Sequence, residues 1–535
     1  MIDWVVVSLL IVFSLYQVRA VFVGYWFTSH DGIFHLMRAE EFFKMIKAGF
    51  FPVRWGLDLD NGYGVPIFNY VYPGPYYLTS FLQMLGMGSR LAVKLLFVAA
   101  YGLGGVGFYQ VLKDKGRLVA GVGSLVYLLL PYHFLDIFVR GALGEVVVMG
   151  LAPWVWGSAE KLTTRKLRWY DPLPLFLSLL SHNFLSLILL VLLVGYLLVT
   201  RKFGWGHVKL VMLALGMAAF FLLPMVLERK LVTSGERNVY TFNYRDHFVG
   251  IQQLWYGKWD YWYSVAGKGD GMSFQLGFAS ILLCFLGIVA VIWTKFQKHA
   301  LNFWVFIYIS CVFLMTEYSS WVWKTIWLLQ PLQFPWRFLA VTTLITPLIW
   351  QEVAVVGKKI GLVVGVVLVG LAFYNSRNYK RPLLAKDQNG LAQMRAIYSG
   401  GTTTASRYEV APRWSVHNPY KTSDLELVSG TAQVEEVKKV AKGLNFTLNS
   451  EEGSRFRVNF NYFPSWKLSC IDCRGEVRIT PGLDGEIDFE ARPGRHSYAL
   501  RLGSTPIEWL SNGLSMLAVL ALVKMVVRRP VGATS

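Results

Sequence analysis

Charge is scarce in this chain. Of its 535 residues, 16% are Asp, Glu, Lys or Arg, where a soluble domain carries about 25%. That shortfall argues against the string of soluble domains that length alone would suggest. Cysteine is rarer still, with four in all. Cys284 and Cys311 fall in apolar runs and read as packing residues. Cys470 and Cys473 form a lone Cys-Ile-Asp-Cys pair. One such pair without a second gives zinc little support, which leaves a short-loop disulfide in an oxidising compartment or two free thiols. Internal repeats, low-complexity tracts and any nucleic-acid module are missing, so the net charge of +19 is not read as a footprint for nucleic acid.

Apolar residues fill the space that charge leaves. Hydrophobic residues make up 54% of the chain, with 20 Trp, 27 Tyr and 36 Phe. They gather in runs of about 17 to 25 residues, the length that crosses a hydrocarbon core of about 30 Å. The first run, Trp4 to about Tyr25, is too long and too aromatic for a signal peptide and lacks a small-residue cleavage site, so it reads as a retained anchor. Further runs lie near 90–111, 117–134, 143–159, 172–199, 208–227, 274–294, 301–316, 337–356, 360–374 and 509–527. Together they predict a polytopic α-helical membrane protein with roughly ten to twelve transmembrane or re-entrant helices.

Basic loops set the expected direction. Lys113 to Arg117, Lys161 to Arg168, Arg201-Lys202, Lys295 to Lys298, Lys358-Lys359 and Arg528-Arg529 should be cytoplasmic. Segments 26–89, 132–145, 228–273, 317–336 and 375–508 then face outward from an inner or plasma membrane, with both termini inside. One run resists this alternation. Segment 172–199 has basic flanks on both sides, is too short for two crossings, and is interrupted by Ser181-His182-Asn183. A re-entrant pair of part-helices meeting at His182 satisfies both flanks; one long tilted helix is the alternative.

Segment 375–508 differs in kind. Alternating runs such as Phe456–Tyr462, Glu476–Ile479 and Glu486–Glu490 are separated by Pro481-Gly482, Asp484-Gly485 and Pro493-Gly494. Period-two alternation between turn signals predicts a β-sandwich. The expected organisation is therefore a transmembrane domain over 1–374, an extracytoplasmic sandwich over 375–508, and a last helix with a cytoplasmic tail over 509–535.

The first outer loop, 26–89, holds the chemistry. In a helix, Asp31, His35 and Arg38 stand at i, i+4 and i+7 and share a face. By residue type alone, Asp31 suits a helix N-cap as well as a catalytic acid. Arg54-Trp55 and then Tyr63, Tyr70 and Tyr72 follow, among glycines and prolines that impose an irregular path. Their rings suit an interfacial belt or stacking on sugars. In the second outer loop, Asp136 and Arg140 are spaced for an ordinary helix-surface ion pair, and Glu145 opens an apolar run where a charge is costly unless it faces a cavity. His182 lies inside an apolar run and Arg337 at the outer end of another, where each also suits a site. Arg337 suits lipid phosphate or snorkelling to headgroups. The aromatic loop 228–273 suits a lid or an interfacial rest.

The order Asp31-Gly-x-x-His35-x-x-Arg38, Gly49-x-x-Pro52-x-x-Trp55 and Gly62-Tyr63-Gly64-x-Pro66-x-Phe68-x-Tyr70-x-Tyr72-Pro73 resembles the membrane 6-pyruvoyl-tetrahydropterin-synthase-related family. That family is similar to the GT-C superfamily of polyprenyl-phosphate-sugar-dependent glycosyltransferases. Arg140-Gly-Ala-x-x-Glu145 also fits the family. The likeness spans residues 1 to about 375 and continues more loosely through the sandwich and last helix. It implies a GT-C-like fold and sugar transfer from a polyprenyl-phosphate donor to a glycan, lipid or protein acceptor. Asp31 matches the acidic residue that serves as catalytic base or organises the acceptor; His35, Arg38, Arg54, Arg140, Glu145, His182 and Arg337 would serve donor phosphate or substrate; Tyr63, Tyr70 and Tyr72 would contact it. The pterin part of the family name finds no counterpart, since no His-rich metal pattern is present. His30, Asp31 and His35 offer donors for a divalent ion at a spacing that is not diagnostic, so no metal or other cofactor is assigned. Membrane lipids are the remaining expected partner.

Overall fold

A computed structural model describes the chain except residues 1, 25, 234–242, 266, 268, 270, 357–360, 385–409, 417–420, 474 and 528–535. The basic pairs Lys358-Lys359 and Arg528-Arg529 and residues 385–409, 417–420 and 474 of the expected sandwich lie outside the described residues. The molecule is mostly helical, with apolar helices through the first 376 residues and a β region near the C-terminus.

Among the described residues, four helices are long and apolar enough to cross a membrane: Ile2–Phe22, Ser89–Lys115, Pro335–Val356 and Pro506–Val527. Three bent pairs raise the number to up to seven if each is one span, and Asn183–Val199, Phe278–Trp293 and Gly361–Ser376 are shorter apolar helices. Several predicted runs are thus broken rather than continuous. Arg117–Leu129 and Pro131–Arg140 meet at 44°, because Leu130 before a proline adopts extended ψ (140°) and Pro131 has no N–H to continue the ladder. Trp205–Met217 and Ala219–Leu227 meet at 71°, and His299–Met315 and Glu317–Thr325 at 94°. The 172–199 run divides at 180–182 into helices Leu173–Leu179 and Asn183–Val199.

The first loop is largely ordered by helices. Gly32–Lys47 and Gly74–Met84 flank an irregular stretch. Inside it, Gly56 and Val65 form an isolated antiparallel bridge, with Asp60, Asn61, Gly62 and Gly64 all at positive φ between them. Just before the first of these helices, Phe27–Thr28 pairs antiparallel with Leu383–Leu384.

The C-terminal strands form two antiparallel sheets. One runs in the order Leu425–Ser429, Arg455–Asn461, Glu486–Glu490, Ile479–Pro481. The other runs Ala432–Val440, Gly443–Ser450, Gly494–Leu502, Trp466–Cys470, Gly475–Val477. Phe446 from the second meets Phe489 from the first at 5.6 Å between ring centroids, and Tyr498 and Phe456 complete this aromatic core.

This β region joins the helical part at one end. The Asn461 side chain donates to Asp60 Oδ2 and to the Gly64 carbonyl, both at 2.8 Å. Val232 bridges Pro412, and Thr233 N–H donates to the Ala411 carbonyl at 2.8 Å. The first loop, the segment after Leu227 and the β region therefore meet at the same end of the helices.

Candidate functional site

Glu145 stands in the first turn of helix Leu143–Lys161, where the helix dipole suits a carboxylate. Arg140 grips it bidentately, Nη1 to Oε2 and Nη2 to Oε1, both at 2.8 Å. Tyr132 donates its hydroxyl to Oε2 at 2.8 Å, and Arg140 Nη1 also reaches Tyr132 at 3.1 Å and Asp136 Oδ1 at 2.5 Å. Arg337 Nε lies 3.3 Å from Glu145 Oε1. Two guanidinium groups thus face two carboxylates, so the formal charge cancels within a buried volume. The Asp136–Arg140 pair expected on a helix surface is instead interior, with side chains 0% and 4% exposed. The Trp336 ring covers Arg140, its centroid 4.7 Å from the guanidinium carbon.

His182 caps helix Asn183–Val199: its Nδ1 accepts the Leu185 N–H at 3.1 Å. In the neutral ring the proton then sits on Nε2, which faces Glu145 Oε1 at 3.5 Å. His182 also lies 5.3 Å from the Tyr72 ring, and Tyr72 6.3 Å from His35. Gly144 makes this approach possible, since a Cβ there would stand 2.3 Å from the Ser181 carbonyl oxygen and 2.5 Å from Tyr72.

Asp31 is brought to the cluster through its backbone. Leu135–Arg140 is a π-helical turn, a geometry often found at functional sites, and it ends at Gly141 with φ +63°. Here the Asp31 N–H donates to the Arg140 carbonyl at 2.7 Å and the His30 N–H to the Val139 carbonyl at 3.0 Å. A Cβ on Gly141 would come within 2.7 Å of the Gly32 nitrogen, so the two segments touch only because residue 141 is glycine. Asp31 occupies the N-cap position of helix Gly32–Lys47, yet its side chain makes no cap hydrogen bond. It is half-buried.

On the same helix, His35 is buried with Nδ1 2.9 Å from the Tyr76 hydroxyl. Burial, then the positive charge of Arg38, holds its imidazole well below the usual range, so the ring is neutral. Burial likewise lowers His30, whose ring stacks on Tyr263 at 4.4 Å. Ser264 accepts from Trp336 Nε1 at 3.2 Å. The aromatic segment after Leu227 therefore lies directly against the site.

Asp31, His35, Arg38, Tyr72, Arg140, Glu145, His182 and Arg337 thus gather in one region, with Arg38 buried on the helix that carries His35. Arg54, Tyr63 and Tyr70 do not join it. Arg54 is spent on Asn69, the Phe220 carbonyl and Asn512 at 2.7 to 2.9 Å, with Glu508 at 3.8 Å. Tyr70 donates its hydroxyl to the Glu228 carbonyl at 3.0 Å. Tyr63 is covered by the β region, its carbonyl accepting the Asn461 N–H at 2.8 Å. Cys470 and Cys473 are joined as a disulfide. Among the described residues, the donors close enough together to hold a metal ion are Cys470, Asp472, Cys473 and His496, a set that does not include His30, Asp31 or His35. Tyr132, Tyr76 and Trp336 were not singled out by sequence. A tyrosine among many in an apolar chain carries no signal until its hydroxyl finds a charged partner.

Chemically, the cluster offers a carboxylate free of cap duty beside fixed cations. Arg140 is consumed by its own carboxylates, whereas Arg337, 19% exposed in its side chain, is the more accessible.

These spans define a polytopic membrane protein. The chain belongs to the 6-pyruvoyl-tetrahydropterin synthase related family of membrane proteins, whose sequence model matches residues 68–383. That stretch contains Tyr72, Arg140, Glu145, His182 and Arg337 and begins after Asp31, His35 and Arg38. No curated protein matches the chain.

Proposed function

We propose that this protein is a GT-C-like membrane glycosyltransferase that moves a sugar from a polyprenyl-phosphate donor to a glycan, lipid or protein acceptor by direct displacement. The observation that carries this reading is Asp31: its backbone is fastened to the Arg140 carbonyl while its carboxylate does no capping. Attack on an anomeric carbon needs a group to take the acceptor hydroxyl's proton, and Asp31 does this. The departing lipid phosphate gains charge, which Arg337 and Arg38 offset, with Glu145, itself gripped by Arg140, holding Arg337 in place. Neutral His35 and Tyr72 line the acceptor side. The reaction faces the non-cytoplasmic side, where the positive-inside reading puts the first loop, the segment after Leu227 and the β region; the meeting of all three at one end supports this. The β region orients the acceptor.

A non-catalytic role in binding a lipid-linked glycan is the second reading, favoured by the complete internal pairing of Arg140. Reconstituted protein given a panel of radiolabelled polyprenyl-phosphate monosaccharides separates the two. Release of polyprenyl phosphate with sugar appearing on an acceptor supports the transferase, and saturable donor binding without release supports the second.

A further inference from the structure

The lone Cys-x-x-Cys pair gains two more donors from the fold. Cys470 ends strand Trp466–Cys470, and Cys473 lies in the turn before Gly475–Val477. Register with strand Gly494–Leu502 sets Tyr498 opposite Cys470, which brings His496 to the same turn. One donor atom each from Cys470, Asp472, Cys473 and His496 lies within 4.8 Å of every other.

The imidazole is already oriented as a ligand. His496 Nε2 faces the Pro493 carbonyl at 3.0 Å, and Nδ1 faces Asp472 Oδ2 at 3.3 Å. With the Nε2 proton given to the Pro493 carbonyl, the Nδ1 lone pair faces the Asp472 carboxylate oxygen, and a cation bound between the two relieves that repulsion, the usual arrangement around metal-bound histidine. The Cys473 N–H points at Cys470 Sγ at 3.3 Å, a donor suited to a thiolate. Asp472 is exposed and Cys473 and His496 half-buried, so an ion has a way in.

We propose that Cys470, Cys473, His496 and Asp472 form a Zn2+ site when the disulfide is reduced, so that this end of the β region alternates between a disulfide and a metal-bound state. Two sulfurs, one nitrogen and one carboxylate oxygen are zinc's preferred donors in a tetrahedral set. The states exclude each other because both use the same sulfurs. A dithiol reductant supplies two electrons and two protons, cleaving the S–S bond to two thiols and leaving as its own disulfide. Zinc then displaces both thiol protons to solvent as the Zn–S bonds form.

The test uses the full chain in detergent, reduced with dithiothreitol, desalted without oxygen and titrated with Co2+ as a spectroscopic stand-in. One Co2+ per chain should bind with a sulfur-to-cobalt charge-transfer band that Zn2+ abolishes, and oxidised protein should show none. Cys470→Ser/Cys473→Ser, which keeps Cys284 and Cys311, should remove the band. His496→Ala should weaken binding by more than the about 10–100-fold that losing an outer-shell partner costs. No band in reduced protein that retains its elution volume would overturn the proposal, as would a band of equal strength in oxidised protein or unchanged affinity in His496→Ala.

Discussion

Arg140 shows how one side chain governs the charge of its surroundings. It pairs with Asp136 and Glu145 at once, both fully enclosed, and Arg337 supplies the second positive charge. Removing it strands two carboxylates, and breaking a buried pair from one side costs about 3–5 kcal/mol. Arg140→Met should therefore lower stability by that order in thermal or denaturant unfolding of the micellar protein. Arg140→Lys should recover only part of the loss, because an ammonium cannot form the two-pronged contact. Glu41 makes a different prediction. Burial, then the neighbouring Asp58 charge, pushes its carboxyl from 4.5 up to about 7, although Oε1 accepts the Asp58 N–H at 3.1 Å. The folded form thus keeps a proton that the unfolded chain has already lost. The resulting stabilisation is fully present below about pH 4.5 and disappears as pH rises through about 7, at most about 3 kcal/mol. The melting temperature should fall between about pH 5 and about pH 8 in the native protein and vary less in Glu41→Gln.

At the scale of elements, a polar lock ties the first loop to the last helix. Arg54 donates to Asn512, Asn69 donates to Glu508 Oε1 at 2.7 Å, and Thr505 N–H donates to Glu508 Oε2 at 3.0 Å. A double-mutant cycle on Arg54→Ala and Glu508→Ala should return a coupling within about 0.5–3 kcal/mol, read from unfolding midpoints; additive losses would deny the lock. This contact also marks where sequence reading stops. Arg54 looked like a phosphate ligand because its acceptors at Glu508 and Asn512 lie more than 450 residues away. The i, i+4, i+7 spacing of Asp31, His35 and Arg38 was legible, because a helix fixes it locally. Glu145, His182 and Arg337 could be singled out one by one as polar groups in apolar runs. Their convergence on a single carboxylate could not, since it depends on how three helix ends pack. His496 gave no metal signal because its partnership with the cysteines comes from strand register. The strands of the β region were readable from alternation and turns, but the sheet order was not. The breaks near Pro131 and His182 coincide with a proline and a polar triplet, whereas the bend between Met217 and Ala219 has no such marker in the sequence.

On the scale of the whole molecule, the apolar helices and the β region are joined at one end, and the ion cluster lies where the first loop returns to the helices. Family membership is carried by residues 68–383, while the acid that the proposed chemistry depends on lies upstream. Asp31→Asn keeps the side chain's size and the backbone bond to Arg140 and removes only the proton acceptor. Measured with a labelled polyprenyl-phosphate monosaccharide in reconstituted membranes, the variant should bind donor as the native protein does and lose sugar transfer by about 100-fold or more. Transfer at the native rate by a folded Asp31→Asn protein would contradict the assignment of Asp31 as the base.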